Sequence, residues 1–230
     1  MQNRRYLLIS SSDRKSGSPT DFMAKLNYST KFDKCELINV FIPNTYYNIT
    51  ESNNKILING IVSPFPIGNY TLEQFFSQFL ITYSAVVNDI TFNDISQKIT
   101  ISSAAGFNLS FPITGSMHEI LGFDKNSSVF INVTESLYPP SIIQQNVFIE
   151  IEYLSSNQMS TNNYSSYTFI IPNDSNKNSI ITFNNKTNYQ QFINNMNTVN
   201  HLFNLNVRLK NKYGEILQGL NEWSLILSFY

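Results

Sequence analysis

The sequence predicts a mainly β protein: an antiparallel β-sandwich, built as a single jelly roll, that carries a small inserted α+β module. Three observations point there. Short runs rich in Ile, Val, Phe and Tyr recur along the chain between clusters of Asn, Ser, Gly and Pro, which is the pattern of antiparallel strands and turns. Helical spacing is concentrated between residues 55 and 124. The 230 residues include 18 Phe and 13 Tyr, bulk enough for a packed interior, while only 13% are charged.

The elements follow in order. "RRYLLI" (4–9) is a short strand candidate, and "SSSDRKSGSPTDF" after it has the serines, Gly17 and Pro19 of a loop. Residues 1–20 are therefore expected to form an N-terminal arm. "FMAKLNYS" (22–29) alternates Phe22, Ala24, Leu26 and Tyr28, the period of a half-buried strand. "KCELINVFIPN" (34–44) continues as a buried strand stopped by Pro43. The sandwich is expected from residues 21–54 and 125–230, with the module at 55–124 between them.

Inside the module, "KILINGIV" is a strand pair around Asn59-Gly60, a strong hairpin signal. "TLEQFFSQFLI" reads as a helix: Thr71 and Gln74 form a capping box, and Leu72, Phe75, Phe76, Phe79 and Leu80 share one apolar face. "DITFND" and "QKITIS" give a second hairpin, followed by "FNLSF" (107–111). "SMHEILGF" repeats the helix-start logic, with Ser116 and Glu119 as the box and Gly122 as C-cap. Beyond it, "VFINVT", "NVFIEIEYL", "YTFIIPN", "SIITFNN", "LNVRLKN" and "WSLILSFY" are six strand candidates for the sandwich. "NYQQFINNMNTVNHLF" (188–203) reads as a short helix or a long loop.

Composition excludes several functions. A net charge of −1 and a pI near 6.1 argue against a general nucleic-acid binder, which needs a basic face. Polarity comes instead from 32 Asn and 28 Ser. Arg4, Arg5, Arg14 and Lys15 make the N-terminus locally basic, either as an arm over a polyanion or acidic partner or as a solvated tail. Arg208, Lys210 and Lys212 alternate on one strand face. Cys35 is the only cysteine, so no intrachain disulfide forms and it reads as a small core residue. No apolar stretch is long enough to span a membrane, and the N-terminus lacks the apolar run of a signal peptide, so the chain reads as soluble.

Chemistry-bearing motifs are equally sparse. His118 and His201 stand alone, and no cluster has the spacing of metal ligands. Glu150 and Glu152 lie two apart on one strand; a glycosidase pair is conceivable, but a solvated sheet face is the better reading. No nucleophile elbow, phosphate-binding loop or dinucleotide motif occurs. The expectation is a protein without catalytic residues, cofactor or metal. Tyr46, Tyr47, Tyr164, Tyr167 and Tyr189 sit in Asn/Ser-rich loops, where they could stack on sugars, anchor a protein contact or cap the core.

A set of phrases occurs in order along nearly the whole chain: "LLISSSDRKSGSPTDFMAKL", "VFIPNTYYNITESNNKI", "IGNYTLEQFF", "MHEILGF" and "VRLKNKYGEILQGLNEWSLILSFY". Together they resemble the minor capsid, or penton, proteins of virophages and related large DNA viruses of protists. That resemblance implies a jelly roll placed at icosahedral vertices as a homopentamer, beside a double-jelly-roll major capsid protein and other minor capsid proteins. It implies a virion location, with assembly in the cytoplasm of the infected cell, and it transfers no catalytic residue. The alternative left open is a sugar- or receptor-binding module on the virion surface, resembling a fibre head and working through Tyr46 and Tyr47.

Overall fold

The computed structural model describes residues 4–25, 34–142, 146–152, 154, 168–194 and 204–230. The chain divides into two compact units, residues 1–46 with 145–230, and residues 47–144, each with its own apolar core.

The first unit contains β1 (Arg5–Ser10), β2 (Ser16–Ser18), β3 (Asp21–Lys25) and β4 (Lys34–Pro43). After the inserted unit, which holds the five intervening strands, come β10 (Val147–Ile151), β11 (Phe169–Ile171), β12 (Ile180–Asn184), β13 (Phe192–Asn194), β14 (Asn204–Lys210) and β15 (Ser224–Phe229). The antiparallel pairs are nested: β1 with β15, β3 with β14, β4 with β12, and β10 with β11. A long hairpin rolled over on itself gives this nesting and two sheets, ordered β1-β15-β4-β12 and β11-β10-β14-β3-β2. This is a jelly roll. Alternate residues point inward, so Leu37, Val40, Ile42, Leu225 and Leu227 of one sheet share a core with Val147, Ile149, Val207 and Leu209 of the other.

The second unit lies between β4 and β10. β5 (Lys55–Ile58) and β6 (Ile61–Pro64) form a hairpin whose turn residues, Asn59 at φ 50° and Gly60 at φ 80°, have the positive φ of a type I′ turn. α1 (Leu72–Thr82) begins at the Thr71–Gln74 capping box and buries Phe75 and Phe79. β7 (Asp89–Asn93) pairs with β8 (Lys98–Ser110), and β8 also pairs with β5 and with β9 (Ser128–Glu135). Phe65 anchors an aromatic cluster here, its ring 5.0 Å from Phe75 and 6.3 Å from Phe79. α2 (His118–Leu121) ends at Gly122, whose φ is +74°. A Cβ there would come within 2.0 Å of the Tyr138 carbonyl oxygen, which explains why the turn is glycine.

Several expectations need correction. Within residues 1–20, β1 and β2 are strands of the two sheets, so the described part is no free arm. Ser116 accepts from the His118 N–H, but α2 starts one residue later and has no side-chain cap. "FNLSF" is mostly the end of β8, which continues across a bulge rather than starting anew. "VFINVT" is β9, and it joins the module's sheet instead of the sandwich because its apolar Ile131 and Val129 face Phe107 and Leu109. Residues 47–54 also belong to the module: Ile49 bridges Gly68, and the Asn54 amide donates to the Phe65 carbonyl. The boundaries thus fall at 46/47 and 144/145, not at 54/55 and 124/125. Finally, Phe192–Asn194 is a strand pairing with β4 where a helix or loop was expected; residues 195–203 lie outside the described residues.

Candidate interaction surface

The phrases that set this sequence apart prove to be structural clips. Ser11 and Trp223 exchange backbone and side-chain hydrogen bonds (Ser11 N–H to Trp223 O and Trp223 N–H to Ser11 Oγ, both 2.9 Å), and Arg14 reaches Glu222 at 2.7 Å. The indole N–H of Trp223 donates to the Pro19 carbonyl at 2.6 Å. The start of the jelly roll is thereby pinned to its last strand. Asn44 donates to the carbonyls of Ser175 and Asn176, and Asn48 donates to those of Tyr70 and Ile142.

Tyr46 belongs to the same network. It is 4% exposed and accepts from the Asn173 amide at 2.8 Å, and burial pushes its hydroxyl up to about 12. Tyr46 therefore caps the core and has no ring face to offer a sugar. Tyr47 is 38% exposed and Tyr189 exposed, the latter edge-on to Phe183; Tyr164 and Tyr167 lie outside the described residues.

The N-terminal cations do not converge. Arg14 is engaged by Glu222, Lys15 is exposed beside β2, and Arg5 is exposed on β1. Arg4 sits next to Arg5 at the start of β1, a strand length of about 20 Å from the end that leads to Arg14 and Lys15. It lines a recess of about 530 Å³ with Lys34, Glu36, Asn185, Lys186, Gln190 and Tyr230. Glu36 is buried and accepts from Arg4, Asn185 and Tyr230. Burial opposes its ionisation, but hydrogen bonds from Tyr230, Asn185 and Arg4 outweigh burial and hold its carboxyl below the usual range. The Arg4 guanidinium also lies over the Tyr230 ring, 4.7 Å from its centroid.

From that recess an apolar stripe crosses the outer face of the first sheet. Tyr6 and Leu8 of β1 are 59% and 62% exposed, Phe41 of β4 is 45% and Ile180 of β12 is 57%. Leu8 pairs with the half-buried Ile226. Ser224 sits opposite Phe41, and Thr182 pairs with Phe41 two residues beyond Ile180. The five side chains form one diagonal across four strands. Sequence reasoning passed over this stripe because each strand shows only one or two outward apolar residues.

The second sheet's outer face is different. Arg208 bonds Asp21 at 3.2 Å and Glu150 at 3.3 Å, and Lys210 also bonds Glu150. Glu150 is thus committed to an ion-pair network, and Glu152 to the Asn206 amide. Lys212 lies over the Tyr213 ring. Cys35 is fully buried, and burial pushes its thiol up. His118 lines a cleft of about 400 Å³ with Glu119, Tyr138 and Ser141, its Nδ1 without a partner among the described residues. His201 lies outside them. Among the described residues no three His, Cys, Asp or Glu side chains are placed to hold a metal, and no helix is long and apolar enough to cross a membrane.

No protein-family model matches the chain, and no curated protein matches it. Among solved structures, the crystal structure of the selenomethionine-labelled mavirus penton protein is similar: the match covers 99% of this chain and 99% of that one, with a TM-score of 0.50 and 12% identity. At that identity the likeness is one of fold, and it spans both the jelly roll and the unit inserted in it.

Proposed function

We propose that this chain is a structural virion protein, a penton-like subunit that forms a homopentamer at icosahedral vertices beside a double-jelly-roll major capsid protein. The observation that carries this reading is the end-to-end fold likeness to a penton protein, over 99% of both chains. A jelly roll alone is shared by many proteins of unrelated function; a likeness that includes the module between β4 and β10 of the roll is a narrower one. The apolar stripe on an otherwise well-packed sandwich also suits a subunit that works among neighbours. The site of action is the virion, after assembly in the cytoplasm of the infected cell with the major and other minor capsid proteins.

The test is the absolute mass of the purified chain by light scattering, together with its position in particles carrying an epitope-tagged copy. A five-fold mass and label confined to vertices are expected. A trimer, or label spread over the facets, would overturn the vertex assignment.

A further inference from the structure

We propose that the outer face of the β1-β15-β4-β12 sheet of one copy receives the outer face of the module sheet, around β9, of a second copy. This rests on the pentamer reading and names the surfaces that would close the ring.

The stripe sets the first half of the contact. The exposed parts of Tyr6, Leu8, Phe41 and Ile180 together offer roughly 400 Å², as much as the largest apolar patch of a typical monomer. That is about half the ~800 Å² that a standard interface takes from each partner. One end of the stripe is electropositive: among the described residues, the recess is lined by the side chains of Arg4, Lys34 and Lys186 and by one side-chain carboxylate, that of Glu36. The occupant must therefore be apolar with an acidic end.

The module sheet meets both requirements. Its inner face carries the core, with Ile99, Ile101, Phe107 and Ile131 buried beneath α1 and α2. Its outer face exposes Phe130 (57%) and Val133 (74%) on β9. Val133 pairs with Ser102, which pairs in turn with Asp89, and Glu135 pairs with Thr100 on the same face. Lys98 is 3.5 Å from Glu135, so this face carries two carboxylates, Glu135 and Asp89, and one ammonium, which pairs with Glu135. The two faces are apolar at their centres and opposite in charge at their ends, the complementarity that fixes orientation in an interface. They are different surfaces of the same chain, so the contact is head-to-tail, and such contacts close into a ring when the rotation fits.

The experiment is light scattering of the full chain from low to high concentration, with thermal unfolding run on every variant. Phe41→Glu should abolish assembly at an unchanged unfolding temperature. Lys186→Glu and Glu135→Lys should each weaken assembly about tenfold, and the double variant should restore it, which a merely structural role for either residue would not do. A wild-type pentamer that persists in all variants would overturn this interface and leave the vertex reading standing. Loss in Phe41→Glu without rescue by the charge swap would overturn the pairing of these two faces. A ring of another size, dissociated and rescued as described, would support the interface and sink the vertex reading. A wild-type chain that stays monomeric at every concentration would overturn the self-docking itself.

Discussion

The two outer faces of the jelly roll are built on the same strand alternation and have opposite chemistry. On the β11-β10-β14-β3-β2 sheet the outward positions include half-buried Phe148 and Ile170, but the centre of the face is Asp21, Glu150, Arg208 and Lys210, which neutralise one another in a continuous ion-pair row. On the β1-β15-β4-β12 sheet Tyr6, Leu8, Ile226, Phe41 and Ile180 run as an apolar diagonal between polar outward neighbours such as Thr182 and Ser224. The pleat dictates inward residues on both sheets alike, so it explains the shared core but not this difference. Outward residues respond to what they meet. A charged row suits water; an apolar diagonal with one basic end suits a partner of complementary chemistry.

The largest effect on stability is expected on the charged face. Glu150 has only 12% of its side chain exposed and neutralises both Arg208 and Lys210, the latter 14% exposed. Glu150→Ala leaves two cations side by side without their shared counter-ion. The expected loss is about 2–3 kcal/mol in denaturant unfolding, with the assembly state unchanged. If assembly fails while stability holds, the charged face is the docking face and the contrast drawn above is inverted.

Glu36 sharpens the comparison from the other side, as the buried carboxylate at the edge of the apolar face. Its folded-state acidity is stronger than an unfolded glutamate's, so its contribution to stability is fully present above the ordinary glutamate value of about 4.3. It is lost as pH falls from there through the lower folded value, because the unfolded chain takes up the proton first. Glu36→Gln should cost about 1–2 kcal/mol near neutral pH and flatten the acid limb of the stability profile. An acid limb as steep as the wild type's would place the responsible carboxylate elsewhere.

Much of this architecture was legible in the sequence for reasons that are local. Asn59-Gly60 demands a tight hairpin, Thr71 and Gln74 cap a helix, and Gly122 ends one, all without reference to distant residues. The boundaries of the inserted unit were not, because β9 looks like any other strand until its partner is known; only pairing with β8 assigns it to the module. Tyr46 misled for a related reason. Its Asn-rich surroundings suggest an exposed loop, yet Asn173, more than a hundred residues away, closes over its hydroxyl. The apolar diagonal is likewise a property of register. Leu8, Ile226, Phe41 and Ile180 come from four strands scattered between residues 5 and 229 and become neighbours only in the sheet.

The smallest effect on stability should come from the apolar face itself. Leu8→Thr and Ile180→Thr replace side chains that are 62% and 57% exposed with a residue equally suited to a strand. In the monomer each should change stability by no more than about 0.5 kcal/mol, measured by urea unfolding at low protein concentration. At high concentration the same variants should weaken assembly, since the apolar area they remove is area the second copy would cover. Stability and assembly then separate cleanly on this face, whereas on the charged face stability alone moves. A monomer cost above about 2 kcal/mol would mean that Leu8 and Ile180 already pack within their own subunit, and the diagonal would then be an extension of the core.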